Sequence, residues 1–211
     1  KVLFATLIIV TAMAGCAKEP YRDSPVEESV ATKDAPHTLD VFHIAFAPGS
    51  DETERTFSWH TRGMNKKAVV ELSQLDEEGN VLSSETFESG VEAILRGFSR
   101  HKATITGLEE KQLYSYRFGD GHRAWSESYT FRTQATEDGD FNFLFFGDPQ
   151  IGAGDGARID ADGWDRTVTT AMEMFPDTAF LVSAGDQVNT AYNLKQYDGW
   201  FFPEELTTYP I

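Results

Sequence analysis

The chain has 211 residues, enough for one large domain or two ordinary ones, and 40% of them are hydrophobic, as in globular proteins. Eighteen basic and 34 acidic side chains give a net charge of −16, which argues against nucleic-acid binding and indicates an anionic surface. This charge would repel phosphate-bearing molecules unless bound cations reversed the field locally.

An apolar segment, residues 2–15, follows Lys1 and is too short to span a bilayer comfortably. A polar segment comes after it, as in a secretion signal. The sequence Met13-Ala-Gly-Cys16 resembles a bacterial lipobox, in which the signal is cut before a cysteine that is then acylated. We therefore predict a signal peptide over residues 1–16 and a lipid on Cys16. The alternative is an ordinary signal peptide with an incidental cysteine.

Residues 17–37 contain Glu, Lys, Asp, Ser and three prolines but few apolar residues, which is the composition of a flexible linker. We predict that this linker holds the folded part away from a membrane. The expected location is outside the cytoplasm, at the bacterial cell surface or the periplasmic face of a membrane. The lipid would be the sole contact with that membrane.

Short β-type runs separated by turn residues fill residues 38–135. Their spacing, without a long helical stripe, predicts an all-β sandwich. Trp59 and the Leu108…Tyr114-Ser-Tyr116 pattern look like the core tryptophan and the tyrosine corner of fibronectin type III or immunoglobulin-like domains, so we assign these aromatics to the core. Residues 77–80 are predicted to form a hairpin turn. The seven predicted strands are 39–47, 54–60, 68–75, 81–87, 101–106, 113–118 and 128–133.

Histidines are scattered through this region without the paired spacing that is typical of a metal site. We interpret them as surface or core residues: His43, His60, His101 and His122. A fifth, His37, lies in the linker, and no histidine follows residue 122.

A polar, acidic stretch, residues 134–140, predicts a domain boundary, with a second domain over residues 139–211. Two apolar runs in this domain end in the same way, each closing on a Gly-Asp pair, at Asp148 and at Asp186. The first run shows no apolar/polar alternation, which predicts a strand that is covered on both faces.

A helix is predicted between these runs, with Asp162 as its candidate N-cap and Pro176 as its stop. Apolar residues recur there at helical spacing: Trp164, Val168, Met172 and Phe175. Strand, helix and strand form a βαβ unit, so the strands should be parallel, and as neighbours they would lie roughly 4.8 Å apart. Asp148 and Asp186 would then meet at the carboxyl edge of the sheet. Two converging carboxylates favour a bound cation at neutral pH.

Two further groups of side chains have a structural interpretation. The acidic residues Asp155, Asp160 and Asp162 are predicted to lie in a solvated loop, with metal ligation as the less favoured alternative. The aromatic residues Trp200, Phe201 and Phe202 are assigned to core packing, with the wall of a crevice as the alternative.

The blocks Gly147-Asp-Pro-Gln150 and Gly185-Asp-Gln-Val-Asn189, preceded by a fibronectin-like domain, resemble the opening of a purple-acid-phosphatase-like, calcineurin-like metallophosphoesterase. The resemblance covers roughly residues 38–211. It implies a multidomain all-β plus α/β chain, in which a fibronectin type III or immunoglobulin-like β-sandwich precedes the first part of a metallophosphoesterase α/β sandwich. Members of the family complete their site with a Gly-Asn-His block and later histidines, which are absent here. We therefore expect this chain to be a fragment cut at both ends.

The resemblance implies a site for two divalent metal ions, in which Asp148 ligates the first metal and Asp186 bridges both. Gln150 stands where many members have a ligating histidine, and its amide either binds a metal or hydrogen-bonds a ligand. Asn189 is a further candidate ligand at the position of the purple acid phosphatase tyrosine. It cannot supply a phenolate, so we predict no purple charge-transfer band. The metal could be Mn, Fe, Zn or Mg.

The implied function is an exported metal-dependent phosphoesterase, a phosphoric ester hydrolase that acts on a small phosphate ester with metal-activated hydroxide. The fragment alone is expected to be inactive and unstable in its second half, because a two-stranded βαβ unit leaves sheet edges uncovered. One alternative is a cell-surface lipoprotein whose sandwich binds a glycan or protein beside an idle second domain. Another is an unrelated α/β hydrolytic fold with one Mg²⁺ at Asp148.

Overall fold

The structure is a computed structural model that describes residues 38–63, 67–93, 97–135 and 141–211. The predicted signal peptide with Cys16, the linker and residues 136–140 of the predicted boundary lie outside these residues. In the part of the chain that is described, no helix combines the length and the apolar character needed to cross a membrane.

The first region is a β-sandwich, which confirms the predicted fold class. Two antiparallel four-stranded sheets pair their strands in the orders β1-β2-β6-β5 and β4-β3-β7-β8. Seven strands lie on the predicted runs, and the eighth, β5, was missed by sequence analysis. Between β3 and β4 the predicted hairpin turn is present, with Gly79 at φ 85°. The strands are β1 (Val41–Pro48), β2 (Arg55–Arg62), β3 (Val69–Leu75), β4 (Val81–Glu88), β5 (Gly90–Ala93), β6 (Phe98–Ile105), β7 (Leu113–Gly119) and β8 (Tyr129–Arg132).

The aromatic core of the sandwich matches the prediction. Trp59, Tyr114 and Tyr116 are all buried. The Trp59 ring stacks on Phe118 with 4.3 Å between ring centroids. The backbone N–H of Glu109 donates to the Tyr114 hydroxyl at 2.9 Å, which is the bond of a tyrosine corner.

The second region begins with a βαβ unit, as predicted. It contains β9 (Asn142–Phe146), α1 (Ala157–Met174), β10 (Thr178–Ser183), α2 (Leu194–Trp200) and a 3-10 helix (Glu204–Thr207). The strands β9 and β10 are parallel neighbours, and their register ends with Ser183 opposite Phe146. This register places the chain segments that follow both strands at one edge of the sheet.

Two details of this unit differ from the sequence prediction. Leu144 and Phe146 are buried in the same hydrophobic cluster as residues of α1, whereas Phe145 is 40% exposed, so only one face of β9 is covered in the described chain. Helix α1 begins at Ala157, so the prediction of Asp162 as its N-cap is wrong. The helix ends at Met174, two residues before Pro176, as predicted.

Hydrogen bonds between described residues join the sandwich to the second region. His43 Nε2 lies 2.7 Å from Asp198 Oδ1 on α2. The Tyr116 hydroxyl donates to the Thr207 carbonyl at 2.7 Å. The N–H of Ile211 donates to the Phe46 carbonyl at 2.8 Å. The two regions are therefore docked against each other through both backbone and side-chain groups.

Candidate metal centre

Two loops leave the same edge of the β9–β10 sheet. The first loop is residues 147–152, which follow β9, and the second loop is residues 185–190, which follow β10. Between strand and loop, the N–H of Ala184 donates to the Phe146 carbonyl at 2.8 Å, so the strands stay in register as they end. The structure therefore brings Asp148 and Asp186, one from each loop, to a common edge.

Backbone hydrogen bonds connect the two loops directly. The N–H of Gln150 donates to the Asp186 carbonyl at 2.9 Å, and the N–H of Ile151 donates to the Gln187 carbonyl at 3.1 Å. In the other direction, the N–H of Asn189 donates to the Ile151 carbonyl at 3.0 Å. All four predicted metal-site residues thus lie within one hydrogen-bonded pair of loops.

The backbone at three of these residues is left-handed. The φ angles are 58° at Asp148, 40° at Gln150 and 47° at Asp186. Left-handed conformations are uncommon for residues other than glycine and turn the chain sharply away from the direction of a strand. Asp148, Asp186 and Asn189 are exposed and Gln150 is half-buried, so all four residues are accessible to solvent.

Asp160 supports the first loop, which differs from its predicted place in a solvated loop. It lies in the first turn of α1 and is half-buried. Its Oδ2 accepts the backbone N–H of Gly152 at 2.7 Å and that of Gly154 at 3.1 Å. Sequence analysis missed this role because the helix was predicted to begin at Asp162, which left Asp160 in the loop before it.

The second loop is supported from α2. The N–H of Thr190 donates to Gln196 Oε1 at 2.7 Å. Within the second loop and the strand before it, the side-chain amide of Gln187 donates to Ser183 Oγ at 3.0 Å. Sequence analysis did not single out Gln196, because a polar residue on a seven-residue helix carries no motif.

The donor set of the two loops fits part of a divalent metal site. Two carboxylates with the amide oxygens of Gln150 and Asn189 are oxygen donors, which suit Mg²⁺ or Mn²⁺. Across residues 38–63, 67–93, 97–135 and 141–211, no three or more His, Cys, Asp or Glu side chains form a group that could hold a metal ion. At this sheet edge the described residues thus place two carboxylates, Asp148 and Asp186, which are fewer than the three side chains of such a group.

The aromatic residues of α2 and the segment after it divide between the core and the surface. Trp200 is buried, Phe201 stacks on the His43 ring with 4.8 Å between centroids, and Phe202 is 56% exposed. Trp200 and Phe201 also line an open groove of about 480 Å³ between β1 and β10, and the four candidate ligands lie outside its lining. Core packing and the wall of a crevice therefore both describe Trp200 and Phe201, but this groove is not the candidate metal centre.

Comparison with known proteins relates both regions to one type of structure. Residues 41–133 match the family model described as the purple acid phosphatase N-terminal domain. The structure of purple acid phosphatase PPD1 from yellow lupin (Lupinus luteus) seeds is similar with a TM-score of 0.62 at 18% identity, over 82% of this chain and 34% of that chain. This chain thus spans about a third of the lupin protein.

A further solved structure was matched over a smaller part of the chain. The sensor domain of the anti-sigma factor RsgI4 from Pseudobacteroides cellulosolvens has a TM-score of 0.30 at 17% identity, over 48% of this chain and 98% of that chain. Comparison with curated protein sequences gave no significant match. The family match and the lupin structure agree with the sandwich topology described above, and residues 41–133 therefore resemble the N-terminal domain of purple acid phosphatases.

Proposed function

We propose that the protein is a metal-dependent phosphoesterase whose catalytic centre includes the two loops after β9 and β10. The observation that carries this proposal is the hydrogen bond from the Gln150 N–H to the Asp186 carbonyl, at 2.9 Å, which joins the two Gly-Asp turns at one sheet edge. Open α/β sheets bind their ligands in the crevice at the carboxyl ends of the strands.

Asp148 and Asp186 would hold two divalent cations, with Asp186 shared between them. Bound cations would supply Lewis acidity and a lowered pKa for water, and would offset the charge of an anionic substrate. The protein carries a net charge of −16, so a phosphate ester approaches the site favourably only where this local charge is reversed. Gln150 and Asn189 would orient the substrate or complete the ligand set through their amide groups.

The test is Asp186→Asn in the complete protein, assayed with p-nitrophenyl phosphate and bis(p-nitrophenyl) phosphate at saturating Mn²⁺. We expect at least about 100-fold loss of kcat/KM, because asparagine keeps the size of the side chain but removes the charge that a bridging ligand needs. Direct titration of the same variant with Mn²⁺ should show that one or both ions bind more weakly.

Asp177→Asn is the matched control. Asp177 is exposed and comes directly before β10, at the opposite edge of the sheet from the two loops. It should keep wild-type turnover and wild-type Mn²⁺ binding. Equal rates in wild type and Asp186→Asn would overturn the proposed function.

A further inference from the structure

Gln196 is a buried polar side chain that contacts both loops of the candidate metal centre. It is 6% exposed and lies on α2. On one side, its Oε1 accepts the N–H of Thr190, the last residue of the second loop, at 2.7 Å. On the other side, its amide end lies against Gly152, the last residue of the first loop, so closely that a Cβ at position 152 would collide with it.

The helix that carries Gln196 is itself held firmly. Gly199 brings the backbone of α2 against the first loop, since a Cβ there would lie 2.9 Å from Ile151 Cγ2. The indole N–H of Trp164 on α1 donates to the carbonyl of Trp200 at 2.9 Å. Asn193 caps the first turn of α2 by accepting the N–H of Lys195 at 3.2 Å. The packing of α2 therefore holds the amide of Gln196 in one position between the two loops.

The separation of the two loops decides whether they can share metal ions. Ligand distances in metal sites are held within roughly 0.2 Å, and residues that support the ligands commonly change metal affinity when they are replaced. The backbone bonds between the loops fix their register, and Gln196 is a buried side chain that contacts the last residue of each loop.

We infer that Gln196 is a positioning residue that sets the separation of the first and second loops and thereby the metal affinity of the site. This inference rests on the proposed function. Without its oxygen acceptor, the Thr190 N–H would turn toward water, and the second loop with Asp186 would move away from the first. Gln196 would act through the two loops and not as a ligand of the metal or the substrate.

Three substitutions in the complete protein test this role, with Mn²⁺ binding measured by calorimetry and by the loss of the free-ion EPR signal. Gln196→Met keeps the length of the side chain but removes the acceptor, and we expect the dissociation constant for Mn²⁺ to rise at least about tenfold. Gln196→Asn keeps the amide but is one methylene too short to reach Thr190, and the same weakening is expected. Gln196→Glu keeps an oxygen at the same reach and should restore binding to within about threefold of wild type.

Leu206→Ala is the control for general destabilisation. Leu206 lies on the 3-10 helix and is fully buried in the hydrophobic cluster that also contains Ile151 and Trp200. This variant should melt at a lower temperature without metal and yet bind Mn²⁺ with wild-type affinity. If Gln196→Met does not fold, the comparison of Gln196→Asn with Gln196→Glu carries the test.

The outcomes separate this inference from the proposed function. Wild-type protein that binds no Mn²⁺ would overturn the metal centre and this inference with it. Wild-type protein that binds Mn²⁺, together with Gln196→Met and Gln196→Asn variants that bind it equally well, would overturn the positioning role alone. The positioning role would also be overturned if Leu206→Ala weakened Mn²⁺ binding as much as Gln196→Asn does. Any loss of stability would then be enough to explain the weaker binding.

Discussion

At the scale of single residues, backbone strain coincides with the candidate metal ligands. Five described residues other than glycine have a positive φ, and three of them are Asp148, Gln150 and Asp186. Such residues cost on the order of 1–3 kcal/mol each, and aspartate adopts this conformation more readily than glutamine. If only local stability mattered, glycine would be favoured at these three positions, because it adopts a positive φ without strain. The presence of Asp148, Gln150 and Asp186 there instead indicates that their side chains have a functional role that outweighs the cost in stability.

Gln150 offers the clearest test of this strain. Gln150→Gly should raise the free energy of unfolding of the metal-free protein by about 1 kcal/mol, because relief of the strained φ exceeds the extra entropy of an unfolded glycine. Urea denaturation measures the difference. Gln187→Gly is the matched control, because Gln187 has no positive φ and donates to Ser183, so it should lose stability.

The same variant decides between two roles for Gln150. Mn²⁺ affinity that falls in Gln150→Gly assigns its amide oxygen to the metal, and unchanged affinity assigns it to hydrogen bonding with a ligand. A loss of stability in Gln150→Gly would contradict the interpretation of its backbone as strained.

At the scale of elements, the start of α1 shows what a sequence pattern can and cannot locate. The apolar spacing from Trp164 onward identified the helix and Pro176 identified its end. The pattern did not identify the first turn, because Asp160 binds the N–H groups of Gly152 and Gly154 rather than those of its own helix. A carboxylate whose partners lie in a preceding loop leaves no periodic signal.

Asp160→Ala should lower the free energy of unfolding by about 2 kcal/mol, because two backbone N–H groups lose a charged acceptor and the N-terminus of α1 loses a favourable charge. Thermal and urea denaturation both measure this change. Asp155→Ala is the control, since Asp155 is exposed in the neighbouring loop and surface substitutions are usually within about 0.5 kcal/mol. Equal stability of the two variants would contradict the anchoring role of Asp160.

The other elements also divide into those that local sequence patterns predict and those that depend on contacts between distant segments. Seven strands of the sandwich and the βαβ unit were predictable, because turn residues separate the strand-like runs and apolar residues recur at helical spacing in α1. Strand β5 has four residues, Gly90–Ala93, and pairs along its length with β6, so pairing rather than its own composition defines it. Gln196 and the contact from His43 to Asp198 depend on docking between distant segments, which no local pattern contains.

At the scale of the whole molecule, a histidine cluster lies where the sandwich meets the second region. A register shift in β1 between Phe42 and Ala45, with φ 51° at His43, directs that ring to Asp198 and Phe201. The His60 ring on β2 lies 5.2 Å from the His43 ring. Its Nδ1 is buried and has no hydrogen-bond partner among the described residues.

Protonation of this cluster should loosen the fold in mild acid. Burial lowers the pKa of His60 to about 4, and positive charge on His43, Arg100 and His101 acts in the same direction. Burial also lowers the pKa of His43, although the hydrogen bond and the negative charge of Asp198 oppose this effect. As the pH falls from about 6.5 toward 4, the unfolded chain binds protons that the folded protein cannot accept, so stability is lost over this range.

His60→Phe removes the titrating ring and retains the aromatic packing that His60 makes with Phe42 and Phe98. We expect the variant to lose less stability than wild type between about pH 7.5 and about pH 5, as measured by urea denaturation, because one source of proton uptake on unfolding is gone. His122→Gln replaces an exposed histidine in the loop before β8 and should retain the wild-type pH dependence. The same loss of stability in His60→Phe as in wild type would show that this cluster does not govern acid sensitivity. A weaker dependence of stability on pH in His60→Phe would instead assign the acid sensitivity to the histidines at the contact between the sandwich and α2.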